Sequence, residues 1–121
     1  MRLGTAAHQV ADMIEDCGVD AWVDGERFRA PGALVMLQSV EYDRLGGAAH
    51  TVTWTVVLVA CDHGPTEALD DLGDMLAKVE DRLGVERVEP VAYTSPAHGR
   101  AELPGLQFTR TTTVSDDETE E

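Results

Sequence analysis

The stretch Ala48–Cys61, AAHTVTWTVVLVAC, constrains the chain more than any other. Thr51, Thr53 and Thr55 alternate with Val52, Trp54 and Val56, and alternation of period two is the signature of a strand with one buried face. From Val56 to Cys61 the alternation gives way to a continuous apolar run. A strand that is apolar on both faces must be covered on both faces. The sequence therefore demands a central strand, sandwiched at its end and half-solvated at its start. A run this short cannot cross a bilayer.

The flanking segments supply the partners. Ala33–Tyr42, ALVMLQSVEY, reads as a strand and is joined to the central one through Asp43, Arg44, Leu45, Gly46 and Gly47, so the two predict an antiparallel hairpin. Upstream, Val10, Met13, Ile14 and Cys17 form one apolar stripe at helical spacing within Thr5–Cys17, with Thr5 as expected cap and Gly18 as terminator. Val19–Asp24 reads as a short strand closed by the turn pair Asp24-Gly25.

Downstream, Gly64-Pro65-Thr66-Glu67 opens a second helix, since Pro65 suits a first helical position and Glu67 complements the dipole. Its expected stripe is Leu69, Leu72, Met75, Leu76, Val79 and Leu83, and Gly84 ends it. Arg87–Ser95 reads as a strand that Pro90 confines to an edge or a bulge. Pro96–Glu102 reads as a loop. Leu106–Val114 alternates again, with Leu106, Phe108, Arg110, Thr112 and Val114 on one side and Gln107, Thr109, Thr111 and Thr113 on the other.

The expected fold is α+β: a mixed, largely antiparallel β-sheet packed by two helices, in the order α-β-β-β-α-β-β. At 121 residues the chain suits a single domain, expected over 1–114, with the acidic segment 115–121 as a disordered tail.

Charge narrows the function. The chain carries 23 acidic and 9 basic residues, a net charge of −14. Five negative charges lie in the tail, leaving −9 on the body. That balance disfavours a basic groove for nucleic acid. It suits either plain solubility or a surface past which a polyanion slides without sticking. The N-terminal segment lacks the continuous apolar run of a signal peptide, so a cytoplasmic protein is expected.

Candidate chemistry is sparse. Cys61, Asp62 and His63 are adjacent at the end of the central strand. A cysteine nucleophile needs a base within hydrogen-bond reach, and neighbours in sequence seldom meet that condition. They read better as a strand's end, with Cys61 packed, Asp62 turning the chain and His63 solvated. Cys17 and Cys61 are expected as free, half-buried thiols, without the CxxC pairs of a zinc site. His8, His50, His63 and His98 show no ligand spacing and read as solvated. Asp70, Asp71 and Asp74 read as a solvated helix face rather than a cation site. Gly46-Gly47 leads into a strand, not a helix, and so lacks the dipole of a phosphate cradle. The two threonine rows are more informative: such faces meet water, pair with a neighbouring subunit or line a channel.

The order of elements resembles the tail terminator proteins of long-tailed (siphovirus-type) phages of actinobacterial hosts. The likeness spans about Leu3–Val114 and rests on the N-terminal helix running into GVDAWVD, then APGALVMLQSV, TWTVVLVA, EALDDLGDMLAKVEDRLG and LPGLQFTRTTTV. It implies a mixed sheet flanked by helices and a virion location at the head-proximal end of the tail, after assembly in the host cytoplasm. It implies a homo-hexameric ring that caps the tail tube protein, stops tube growth at the length set by the tape-measure protein, and presents the surface that the neck or head-completion protein joins. DNA would pass through the lumen without specific binding. No cofactor, metal, membrane or catalytic residue is implied.

For the interface, Arg27, Phe28 and Arg29 read as an exposed aromatic anchor flanked by cations, or equally as a core phenylalanine between solvated arginines. The loop bearing Asp43, Arg44, Gly46 and Gly47 is the second candidate contact. The alternatives are another neck or minor tail protein, and a small ligand-binding domain or enzyme using Cys61, Asp62 and His63.

Overall fold

Four regions of the computed structural model are described here: residues 2–42, 49–61, 64–94 and 102–115. They build helices α1 (Leu3–Asp16) and α2 (Pro65–Leu83) and strands β1 (Ala21–Trp22), β2 (Gly32–Tyr42), β3 (Ala49–Val59), β4 (Glu89–Thr94) and β5 (Glu102–Ser115). The strands form one sheet in the order β1-β2-β3-β5-β4. Only the β1–β2 pair is parallel. The α+β class, the order of elements and the predominance of antiparallel pairing are those the sequence predicts.

β3 occupies the centre, and its side chains divide the core in two. Val52, Trp54, Val56 and Leu58 face the helices, joined by Val35, Phe108 and Val114 from the neighbouring strands. α1 contributes Ala6, Val10, Ala11 and Ile14; α2 contributes Ala68, Leu72, Met75, Val79 and Leu83. Val57 and Val59 point the other way, into a smaller cluster with Leu34, Leu103 and Phe28. The double coverage inferred from the Val56–Cys61 run is this pair of clusters.

Local chemistry explains the element ends, with some departures from expectation. Pro65 stands in the first turn of α2 and Gly84 closes it in the left-handed conformation, φ 62°. Gly18 does the same after α1, φ 95°. α1, however, begins at Leu3, so Thr5 lies inside the helix rather than capping it, and no side chain caps that end. In α2 it is Ala68 that is buried, while Leu69 is 64 % exposed. The expected Val19–Asp24 strand shrinks to Ala21–Trp22, because only Ala33 and Leu34 of β2 offer it a ladder. β4 is an edge strand, as Pro90 requires. β5 starts at Glu102 and so absorbs the end of the expected loop. It also runs one residue past the expected domain boundary, to Ser115. Segments 43–48, 62–63, 95–101 and 116–121 lie outside the described residues. With them go Asp43, Arg44, Gly46, Gly47, Asp62, His63, His98 and the expected tail disorder.

The sheet has two tiers. At the Val59 end it is five strands wide, because β1 flanks β2 at Ala33–Leu34 and β4 flanks β5 between Glu102 and Gln107. At the other end, among the described residues, β2, β3 and β5 continue alone, pairing from Val35–Val56–Phe108 out to Tyr42–His50–Val114.

Candidate functional surfaces

The two threonine rows meet in the three-strand tier. Thr51, Thr53 and Thr55 share the sheet face of Val57, opposite the helices. The β3–β5 register sets them directly against Thr113, Thr111 and Thr109. Three cross-strand threonine pairs result, a favourable match of β-branched, hydrogen-bonding side chains. Thr51, Thr109, Thr111 and Thr113 are exposed; Thr53 and Thr55 are half-buried. On the helix side of the same tier Trp54 is sealed, and its indole N–H donates to Thr112 Oγ1 at 2.9 Å.

Charge is nearly absent here. Across Val35–Tyr42, Ala49–Val59 and Gly105–Ser115 only Glu41 and Arg110 carry formal charge, in a chain of net −14. Arg110 lies on the helix side and is spoken for: its guanidinium donates to Leu83 O, 3.0 Å away, and touches Met13 Sδ at 3.8 Å. It thereby answers one open carbonyl at the end of α2. Between that helix end and β5 lies a cavity of about 420 Å³ bordered by Gly84, Glu86, Arg87 and Thr109.

Arg27, Phe28 and Arg29 fall apart as a set. Phe28 is 0 % exposed, so the exposed-anchor reading is corrected: this ring is core. Asp24 causes it. Its carboxylate accepts the Glu26 N–H at 2.9 Å, and its carbonyl accepts the Arg27 and Phe28 N–H groups at 3.1 Å. That turn folds Phe28 back onto the sheet, where it meets Trp22 and Tyr93 edge-on at 5.2 and 5.5 Å. Burial pushes the Tyr93 phenol above its ordinary value near 10. Both arginines stay exposed: Arg27 lies 3.7 Å from Asp24, and Arg29 donates to the carbonyls of Glu26 and Phe28.

The remaining candidates are dispersed. Cys61 lies two residues beyond β3, so the alternation of strand faces does not govern it. It and Cys17 are free and half-buried. His50 is not solvated as expected: it is 6 % exposed, packed edge-on against Tyr42 at 4.6 Å. Asp71 and Asp74 border a cavity of about 340 Å³ with Asp20 and Lys78. Among the described residues no three His, Cys, Asp or Glu side chains group as metal ligands, and no helix is long and apolar enough to cross a membrane.

Sequence reading found both threonine rows but not their juxtaposition, which the pairing of distant strands decides. It also missed the exposed apolar side chains of β2, Met36, Leu37 and Tyr42. No protein-family model matches the chain, and neither does any curated protein.

Proposed function

We propose that this chain is a tail terminator of a long-tailed phage. Six copies form a ring on the head-proximal end of the tail tube, stop its polymerisation and offer the surface to which the neck protein attaches. The observation that carries the reading is the three-strand tier: a threonine-covered slab whose one formal charge on that face is the Glu41 carboxylate opposite Thr51. Proteins hold DNA chiefly by neutralising phosphates with lysine and arginine. The threonine face has neither, and the body around it is negative, so a duplex moves past it without adhering. The likeness in element order between Leu3 and Val114 supplies the rest of the reading. The action is one of surfaces: one ring face accepts the tube and the other does not, so growth ends.

Electron microscopy of the purified protein mixed with polymerising tail tubes tests this. Rings at one tube end, with growth arrested, are the expected result. Attachment to neck rings but not to tubes would reassign the chain to another neck component. Neither attachment would overturn the proposal.

A further inference from the structure

The three-strand tier leaves two strand edges open among the described residues. On one side β2 has no neighbour beyond Leu34; on the other, β5 has none beyond Gln107. The two open runs, 35–42 and 108–115, stand level with each other across β3. Each is about 25 Å long at the usual strand rise. Native proteins guard such edges with lysine, proline or bulges. β5 has none of these over 108–115, and its only charge, Arg110, is turned to α2. β2 has a single irregularity, between Leu37 and Ser39, where Thr55 Oγ1 donates to Gln38 Oε1 at 2.7 Å. A bulge there adds twist, which a sheet that curves around an axis requires.

We infer that the open edge of β2 in one copy pairs with the open edge of β5 in the next, so that the sheet runs on from subunit to subunit. Two observations commit the partner to a second copy. Of the described exposed large hydrophobics, Met36, Leu37, Tyr42 and Leu69, three lie on the open run of β2. And a chain of net −14 repels its own copies over most of its surface, but these edges carry almost no charge. β2 and β5 both run antiparallel to β3, so they are parallel to each other and the seam is a parallel, head-to-tail one. Head-to-tail contacts close into rings or propagate as filaments according to the rotation they impose. Closure into a ring rests on the function proposed above; the seam does not.

Disulfide trapping tests the seam. In the full chain with Cys17→Ser and Cys61→Ser, Ser39→Cys is combined in turn with Thr109→Cys, Thr111→Cys and Thr113→Cys, which allows for stagger between neighbours. The protein is concentrated, oxidised with diamide and run on a non-reducing gel. At least one pair is expected to give a ladder of covalent multimers, while each single-cysteine variant stays monomeric. Adding Leu37→Asp, at a site already 49 % exposed, is expected to abolish the ladder and leave the circular dichroism spectrum unchanged. Dimers from a single-cysteine variant would show like edges pairing symmetrically and overturn the seam. So would the absence of a ladder from every pair in protein with a native spectrum. A ladder from protein that ignores tail tubes keeps the seam and removes the tail-terminator reading; tube capping without a ladder does the reverse.

Discussion

Arg110 and Leu83 tie the last turn of α2 to the middle of β5: the guanidinium of one donates to the carbonyl oxygen of the other at 3.0 Å. A cation at a helix C-terminus meets both an unsatisfied acceptor and the negative end of the dipole. Replacing it leaves that carbonyl without its partner. Arg110→Met is expected to lower stability by about 2 kcal/mol, the usual scale for a hydrogen bond to a charged group. A urea unfolding midpoint measures the loss, and amide exchange should quicken first in the final turn of α2.

Phe28 belongs to the small cluster beneath the sheet, with Leu34, Val57, Val59 and Leu103. Phe28→Ala is expected to cost about 3–5 kcal/mol, as for other buried aromatic truncations. Thermal unfolding of the isolated subunit is the measurement. A change in assembly at unaltered melting temperature would contradict the core assignment.

Tyr93 makes this cluster sensitive to alkali. Its folded pKa is raised by burial, so the folded state holds the phenolic proton to a higher pH than the unfolded chain does. The associated stability is whole below the unfolded value near 10 and is lost as pH rises through the folded value. In a Tyr42→Phe background Tyr93 is the remaining tyrosine. Its ultraviolet titration midpoint is then expected to lie above that of a free phenol, and Tyr93→Phe should flatten the alkaline fall in stability.

Two glycines predict opposite signs. A methyl group at Gly105 would lie 2.9 Å from the Leu58 carbonyl oxygen and 3.2 Å from Val91, neither of which can yield cheaply. Gly105→Ala is expected to destabilise by about 1–3 kcal/mol, the range for overpacking. Gly73 is exposed within α2 and a methyl there meets nothing within 4 Å. Gly73→Ala is expected to stabilise by about 0.5–1 kcal/mol through helix propensity alone. Paired denaturation curves check both.

What the sequence made legible was local. Pro65 and Gly84 bracket α2, Pro90 sends β4 to an edge, and the change from alternating to continuous apolar residues after Val56 marks where the sheet is covered twice. What it hid depends on contacts between distant segments. Thr5 has a capping side chain, but the helix begins two residues earlier. Leu69 carries the more apolar side chain, but the helical phase set by Leu72, Met75 and Val79 buries Ala68 instead. Phe28 sits among charges in sequence, and only the Asp24 turn shows that it folds inward. The threonine face needed the β3–β5 register, since a slip of one residue would have turned one row toward the helices.

That register also sets an order of events. Trp54 bonds to a threonine 58 positions further along the chain, so β3 gains its second neighbour only after α2 and β4 have been made. A nascent chain that ends at Leu83 already holds both helices and the β2–β3 hairpin, yet its most apolar strand is still a sheet edge. The amides waiting there accept a β5 from any chain with this sequence. Exchange of the C-terminal strand between neighbouring chains is therefore the misassembly that this order of synthesis favours.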